Sequence, residues 1–237
     1  MCDLFCEYQA GHAYVDLGLS VKWATLNIGQ KNVFDYGDRF AWGDSTPRLD
    51  DYNQWDEYKF LHPESHPLFS KYNTDPEYGP VDNLTRLEPE DDIANKLWGG
   101  FWRMPTALEF KELIDNCWCK WLRYQKDEFD VVDGFLFTSK VEGYQGRTLF
   151  LPGCGIVYDH SGDGMTEGTY NHYFYSDCFY WSSDLVGQEP SNPDRACMFF
   201  INKSPLGHPR IKFKQERRCI VASIRPVFSF NSEMEMC

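Results

Sequence analysis

Four carboxylates, Glu88, Glu90, Asp91 and Asp92, fall within five positions of the stretch L-E-P-E-D-D-I-A-N-K-L-W-G-G. Acids this crowded could divide into a general acid and a general base, or share a metal ion. No partner base, nucleophile or histidine stands near them in the sequence. The same residues fit the opening of a helix. Pro89 suits a first helical position and acidic side chains complement the positive end of the helix dipole. Ile93 and Leu97 then give an apolar face, and Gly99-Gly100 closes the segment.

Other combinations are weaker. His62 and His66 are spaced like two zinc ligands on a helix, but a proline follows each of them and opposes helical geometry, so no metal site is expected. Asp159 to Gly164, D-H-S-G-D-G, lacks the third ligand position and closing Glu of an EF-hand and reads as a turn. Ser182, Ser183, His172 and Asp177 could make a hydrolytic triad on paper, but no nucleophile-elbow motif supports it. Cys117 and Cys119 flank Trp118 too closely for a C-x-x-C pair. The nine cysteines are odd in number and irregularly spaced, which predicts mostly buried thiols and no disulfide framework. No catalytic residue and no cofactor is expected.

The pattern that survives is one of charge. Residues 195 to 225 hold eight Lys and Arg against a single Glu, within a chain of net charge −13. So basic a segment in so acidic a molecule is a place for an anionic partner to dock, or a store of cations for its own acidic loops. Within it, R-I-K-F-K-Q-E reads as a strand with Ile211 and Phe213 inward and Arg210, Lys212, Lys214 and Glu216 on the outer face. Arg195 and Phe200, on the preceding expected strand, would flank the patch. The bland alternative is an edge strand whose lysines only block edge-to-edge aggregation.

These residues need a frame. The first third reads as short strands, A-Y-V-D-L-G-L, V-K-W-A-T-L-N-I-G and D-R-F-A-W-G-D, and residues 44 to 86 as a long loop. A second helix begins at Thr106, which forms with Glu109 a capping-box pattern, with Leu108, Leu113 and Ile114 as its buried stripe and Phe110 at the edge. Six strand-like runs follow it: G-F-L-F-T-S-K, T-L-F-L-P-G-C-G-I-V-Y, C-F-Y-W-S-S-D, R-A-C-M-F-F-I-N, R-I-K-F-K-Q-E-R and I-V-A-S-I-R-P-V. The order predicts an α+β domain with two helices packed on irregular antiparallel sheet.

The 237 residues are enough for a sizeable core, and 17% of them are aromatic, which suits a loop-rich fold held by large rings or a recognition surface. The negative charge argues against a nucleic-acid or anionic-membrane binder. No run is long and apolar enough for a membrane span, and the start has neither the basic nor the apolar region of an export signal.

One series of motifs goes further. H-A-Y-V-D-L-G-L-S-V-K-W-A-T, G-D-R-F-A-W-G-D, K-Y-N-T-D, V-D-N-L-T-R-L-E-P-E-D-D, W-G-G-F-W-R-M-P-T-A-L-E-F, Y-W-S-S and S-I-R-P-V occur in order from about His12 to Val227. As a series they resemble the Fibrobacter succinogenes major paralogous domain family of gut Bacteroidetes. The resemblance implies a C-type-lectin-like fold over residues 12–228, between an N-terminal extension (1–11) and a C-terminal tail (229–237). It implies kinship with retroelement variable proteins and formylglycine-generating enzymes. It also implies a scaffold role for Trp23, Trp42, Trp102, Arg103, Pro105, Trp181 and Arg225, and a cell-surface or secreted location. In the variable-protein relatives diversity would fall on Asp184 to Ala222.

The expected function is a non-catalytic binding domain for a glycan or protein ligand, an anionic one suiting the basic strand, with Arg195, Phe200, Arg210, Lys212, Lys214 and Glu216 as its surface. A copper oxidoreductase using Cys197 and Cys219 and a structural component of a surface appendage are the alternatives.

Overall fold

The computed structural model describes residues 6–48, 55, 58–61, 68–125, 127–128, 131–154, 177–185 and 193–229. Among them are ten strands in three small antiparallel sheets, with two short helices. This corrects the expected α+β, C-type-lectin-like architecture. The helices, of six and ten residues, are too small to form a layer of their own, and the described fold is mainly β.

The first sheet has the order β1-β2-β3-β10: β1 (Cys6–Gln9), β2 (His12–Val15), β3 (Lys22–Ala24) and β10 (Val227–Phe228). β1 thus lies within the stretch read as an extension and pairs along its length with β2, Cys6 opposite Val15 and Gln9 opposite His12. At the far side β10 pairs with β3, Val227 opposite Trp23.

The second sheet is β4 (Cys117–Gln125), β5 (Val131–Ser139) and β6 (Thr148–Pro152). β5 alternates as V-V-D-G-F-L-F-T-S, so Phe135 and Phe137 face inward beside Leu149 and Leu151 of β6. Leu136 faces outward opposite Phe150. At Gly134 a Cβ would stand 2.4 Å from the Leu151 carbonyl and 2.6 Å from the Phe150 ring. The missing side chain lets that ring lie across the outer face of the sheet.

The third sheet is β7 (Cys178–Trp181), β8 (Arg195–Lys203) and β9 (Pro209–Arg217). β7 is buried throughout and β8 nearly so, because a core lies on each face. Phe179, Trp181, Ala196, Met198 and Phe200 join Trp42, Phe69 and Tyr72 in one core. Cys178, Tyr180, Phe199 and Ile201 join Trp23, Phe110, Phe135 and Phe137 in the other. The D-R-F-A-W-G-D run expected as a strand makes only an isolated bridge, Phe40 to Ala222.

Helix α2 (Ala107–Asn116) begins as its sequence indicates. The Thr106 hydroxyl accepts from the Glu109 N–H, and the Glu109 carboxylate accepts from the Thr106 N–H at 2.8 Å. Its buried residues are Phe110, stacked on Phe199 with centroids 4.4 Å apart, and Leu113. Burying each contributes about 1.5–3 kcal/mol. Leu108, expected in the stripe, is exposed. Thr106→Ala is expected to cost about 1 kcal/mol, the usual scale for a lost N-cap. A thermal melt coincident with wild type would contradict the cap.

Helix α1 (Ile93–Trp98) is capped by Asp92, so Pro89 precedes the helix and does not open it. Ile93 and Ala94 are buried and Leu97 is exposed, so the apolar face is not the Ile93–Leu97 pair that was expected.

Candidate ligand-binding face

β9 is an edge strand, hydrogen-bonded on one side to β8. The register places Arg210 opposite Asn202, Lys212 opposite Phe200, Lys214 opposite Met198 and Glu216 opposite Ala196. Directly opposed residues share a face in an antiparallel ladder, so the three cations do line one face, with Glu216 at its end. Arg210 and Lys212 are exposed and have no acidic partner among the described residues. Lys214 is more engaged: its ammonium lies 4.1 Å from the Phe200 ring centre and 3.9 Å from the Glu216 carboxylate. Phe200 is itself buried, so it reaches a ligand only through the cations above it.

Arg195 does not belong to this surface. It stands opposite Arg217, five positions from Phe200 and hence on the other face of the ladder, where it donates to the Gln215 carbonyl at 3.0 Å. Phe213, expected inward, is 41% exposed.

The carboxylates of Glu88, Glu90 and Asp91 do converge, their nearest oxygens all within 4.8 Å. They converge on cations of the same chain. The Lys71 ammonium lies 2.6 Å from Glu88, 3.2 Å from Glu90 and 2.7 Å from Asp91, and Lys59 pairs with Asp91. The Tyr72 hydroxyl also donates to Asp91 at 2.7 Å. Burial works against the ionised Asp91, yet Lys59, Lys71 and Tyr72 hold its carboxyl below the usual range. Asp92 turns away to cap α1 and to accept from the Met104 N–H at 2.7 Å. The cluster is an ion-pair node that ties Lys59, Lys71 and Tyr72 to the segment leading into α1.

Among the nucleophilic candidates, the Ser183 hydroxyl is buried without a hydrogen-bond partner among the described residues, whereas Ser182 and the thiols below are held. The Ser182 hydroxyl donates to the Cys197 carbonyl at 2.8 Å. Burial pushes the Cys117 thiol up to about 11, Cys119 to about 12 and Cys197 to about 11, and raises Cys154 and Cys178 too, which keeps all five protonated at neutral pH. His62, His66, His172 and Asp159 to Gly164 lie outside the described residues. Trp23, Trp42, Trp102, Trp181 and Arg225 are fully buried. Arg103 clasps Glu109 with both terminal nitrogens, at 2.8 and 2.5 Å.

One feature escaped the sequence. A groove of about 830 Å³ opens between the β1–β2 hairpin and the outer face of the β4–β5–β6 sheet, with Tyr8, His12 and Trp98 on one side and Tyr124, Leu136 and Phe150 on the other. The alternation in C-W-C-K-W-L-R-Y-Q could have revealed β4 and hence this wall.

No family model matches the chain, and no curated protein or solved structure matches it either. Among the described residues, no helix is long and apolar enough to cross a membrane.

Proposed function

We propose that this chain is a non-catalytic ligand-binding domain that offers the outer face of β9 to an anionic group on a glycan or protein surface. The observation that carries this reading is the pair Arg210 and Lys212, exposed at two-residue spacing on an edge strand and without an acidic partner among the described residues, in a chain of net charge −13. Cations in such a row repel one another, and an anion bridging them would relieve the repulsion and accept charge-assisted hydrogen bonds. The resemblance noted above adds a reason for such a surface to exist: in a retroelement variable protein the diversified segment, Asp184 to Ala222, would include it.

The test is binding to immobilised sulfated dextran, with unsulfated dextran as the control, at low and raised salt. The double variant Arg210→Gln, Lys212→Gln is expected to bind about tenfold more weakly, with a shallower salt dependence, at unchanged thermal stability. Unchanged affinity would move the site elsewhere. Self-association of the variant without loss of binding would make these cations a guard on the sheet edge.

A further inference from the structure

We propose that the groove between the β1–β2 hairpin and the β4–β5–β6 sheet is a second binding site, built for an uncharged oligosaccharide. It is separate from the β9 face and does not rest on that reading. The first argument is the wall. The inner face of the sheet is already filled by Phe135, Phe137, Leu149 and Leu151. Its outer face should then be polar, since an antiparallel sheet with one face on the core normally turns the other to water. Here it carries Tyr124, Leu136 and Phe150 instead, each half-buried in the groove. The Tyr124 and Phe150 rings meet edge to face at 4.8 Å, and Gly134 leaves the space that lets Phe150 lie over the strands.

The second argument is charge. One quarter of the chain is Asp, Glu, Lys or Arg, yet among the described residues none of these lines the groove. A site for an anion or cation would be lined with opposite charge, and the described lining has none; Lys120, opposite Leu136 on the same sheet face, is exposed and outside that lining. Its one titratable nitrogen ring, His12, lies flat on Trp98 with centroids 3.8 Å apart, and burial lowers its pKa, favouring the neutral form. Polar groups are present but uncharged: Thr25, Gln30, Asn32 and Thr148. Gln30 is held rigidly, accepting from the Asn27 N–H at 2.8 Å and donating to the Asn32 carbonyl at 2.8 Å.

Together these features select the ligand class. The volume falls in the usual range for sites that enclose small organic ligands. Aromatic faces take the C–H-bearing face of a pyranose ring, and neutral amides and hydroxyls exchange hydrogen bonds with its hydroxyl groups at no cost of burying charge.

Calorimetric titration of the chain with neutral oligosaccharides (cello-, xylo- and mannooligosaccharides) tests the proposal. Tyr8, 68% exposed on β1, can be altered without disturbing a core. Tyr8→Ala is expected to weaken binding about tenfold at unchanged melting temperature, and Asn32→Ala, also at an exposed position, to weaken it less. The Arg210→Gln, Lys212→Gln variant should bind the same neutral sugar as wild type, which separates this site from the β9 face. Absence of heat with every neutral oligosaccharide, equal affinity in Tyr8→Ala, binding of a hydrophobic dye alone, or self-association of the chain that Tyr8→Ala abolishes would each overturn it.

Discussion

Asp92→Ala is expected to destabilise the domain by about 4 kcal/mol, more than any surface charge change in this protein. Its carboxylate is buried and accepts three backbone N–H groups, from Ala94 at 2.9 Å, Asn95 at 3.3 Å and Met104 at 2.7 Å. The first two begin α1 and the third belongs to the segment leading into α2, so one side chain fixes the distance between the helices. Alanine leaves three donors without an acceptor in a place water reaches poorly, and each costs about 1–3 kcal/mol. Denaturant unfolding measures the loss, and a change within the range of an ordinary exposed cap, about 1 kcal/mol, would show that solvent replaces the carboxylate.

The same group sets a pH dependence of definite sign. Burial pushes Asp92 up to about 6 against the pull of the Met104, Asn95 and Ala94 amides. A carboxyl whose folded value lies above its unfolded one contributes stability below the unfolded value, near 4, and that contribution is lost as pH rises through about 6. Asp91 and Glu109 run the other way. Their values are lowered, against burial, by Lys59, Lys71 and Tyr72 for Asp91 and by Arg103 for Glu109. Their contribution is present above the unfolded carboxyl range and lost as pH falls through their folded values. Asp92→Asn should therefore remove the decline in stability between pH 4 and 6 while leaving the acid limb in place.

The second large effect is expected at Arg225. Its guanidinium is fully buried without a carboxylate among the described residues, and donates from Nε to Asn27 Oδ1 at 2.8 Å and from Nη1 to the Ala24 carbonyl at 3.0 Å. Desolvation lowers its pKa, opposed by the nearby Tyr180. Arg225→Ala removes both donors and opens a cavity, and should cost about 4 kcal/mol. Arg225→Met keeps much of the volume and discards the buried charge, so it should cost about half as much. Equal losses in the two variants would mean that packing contributes little here and the hydrogen bonds nearly everything.

What could be read in advance follows from how local each signal is. The α2 cap depends on residues three apart and was plain in T-A-L-E. The strands β5 to β9 were legible as aromatic and β-branched runs, but their grouping into three sheets depends on pairings between distant segments. β4 was missed because it follows α2 at Cys117 with no Gly or Pro between them. The placing of Arg195 beside Phe200 was a parity error that the sequence itself could have exposed: an odd separation along a strand puts two side chains on opposite faces. By the same rule Lys212 falls on the face of Phe200, the residue it pairs with. The groove could not be read, since its walls come from the hairpin near residue 10 and from strands more than 100 residues away.

The pairing of β10 with β3 bears on how the chain reaches this state. Val227 and Phe228 are among the last described residues, yet they complete the sheet that Trp23 begins, and Arg103 exchanges backbone hydrogen bonds with Val227 at 2.9 Å in both directions. A growing polypeptide therefore cannot close its first sheet until residue 228 has been synthesised, about 200 residues after Trp23. Contacts of such long sequence separation carry loop-closure entropy that must be met before packing rewards it, which slows folding and lengthens the time for which aromatic surface stays exposed.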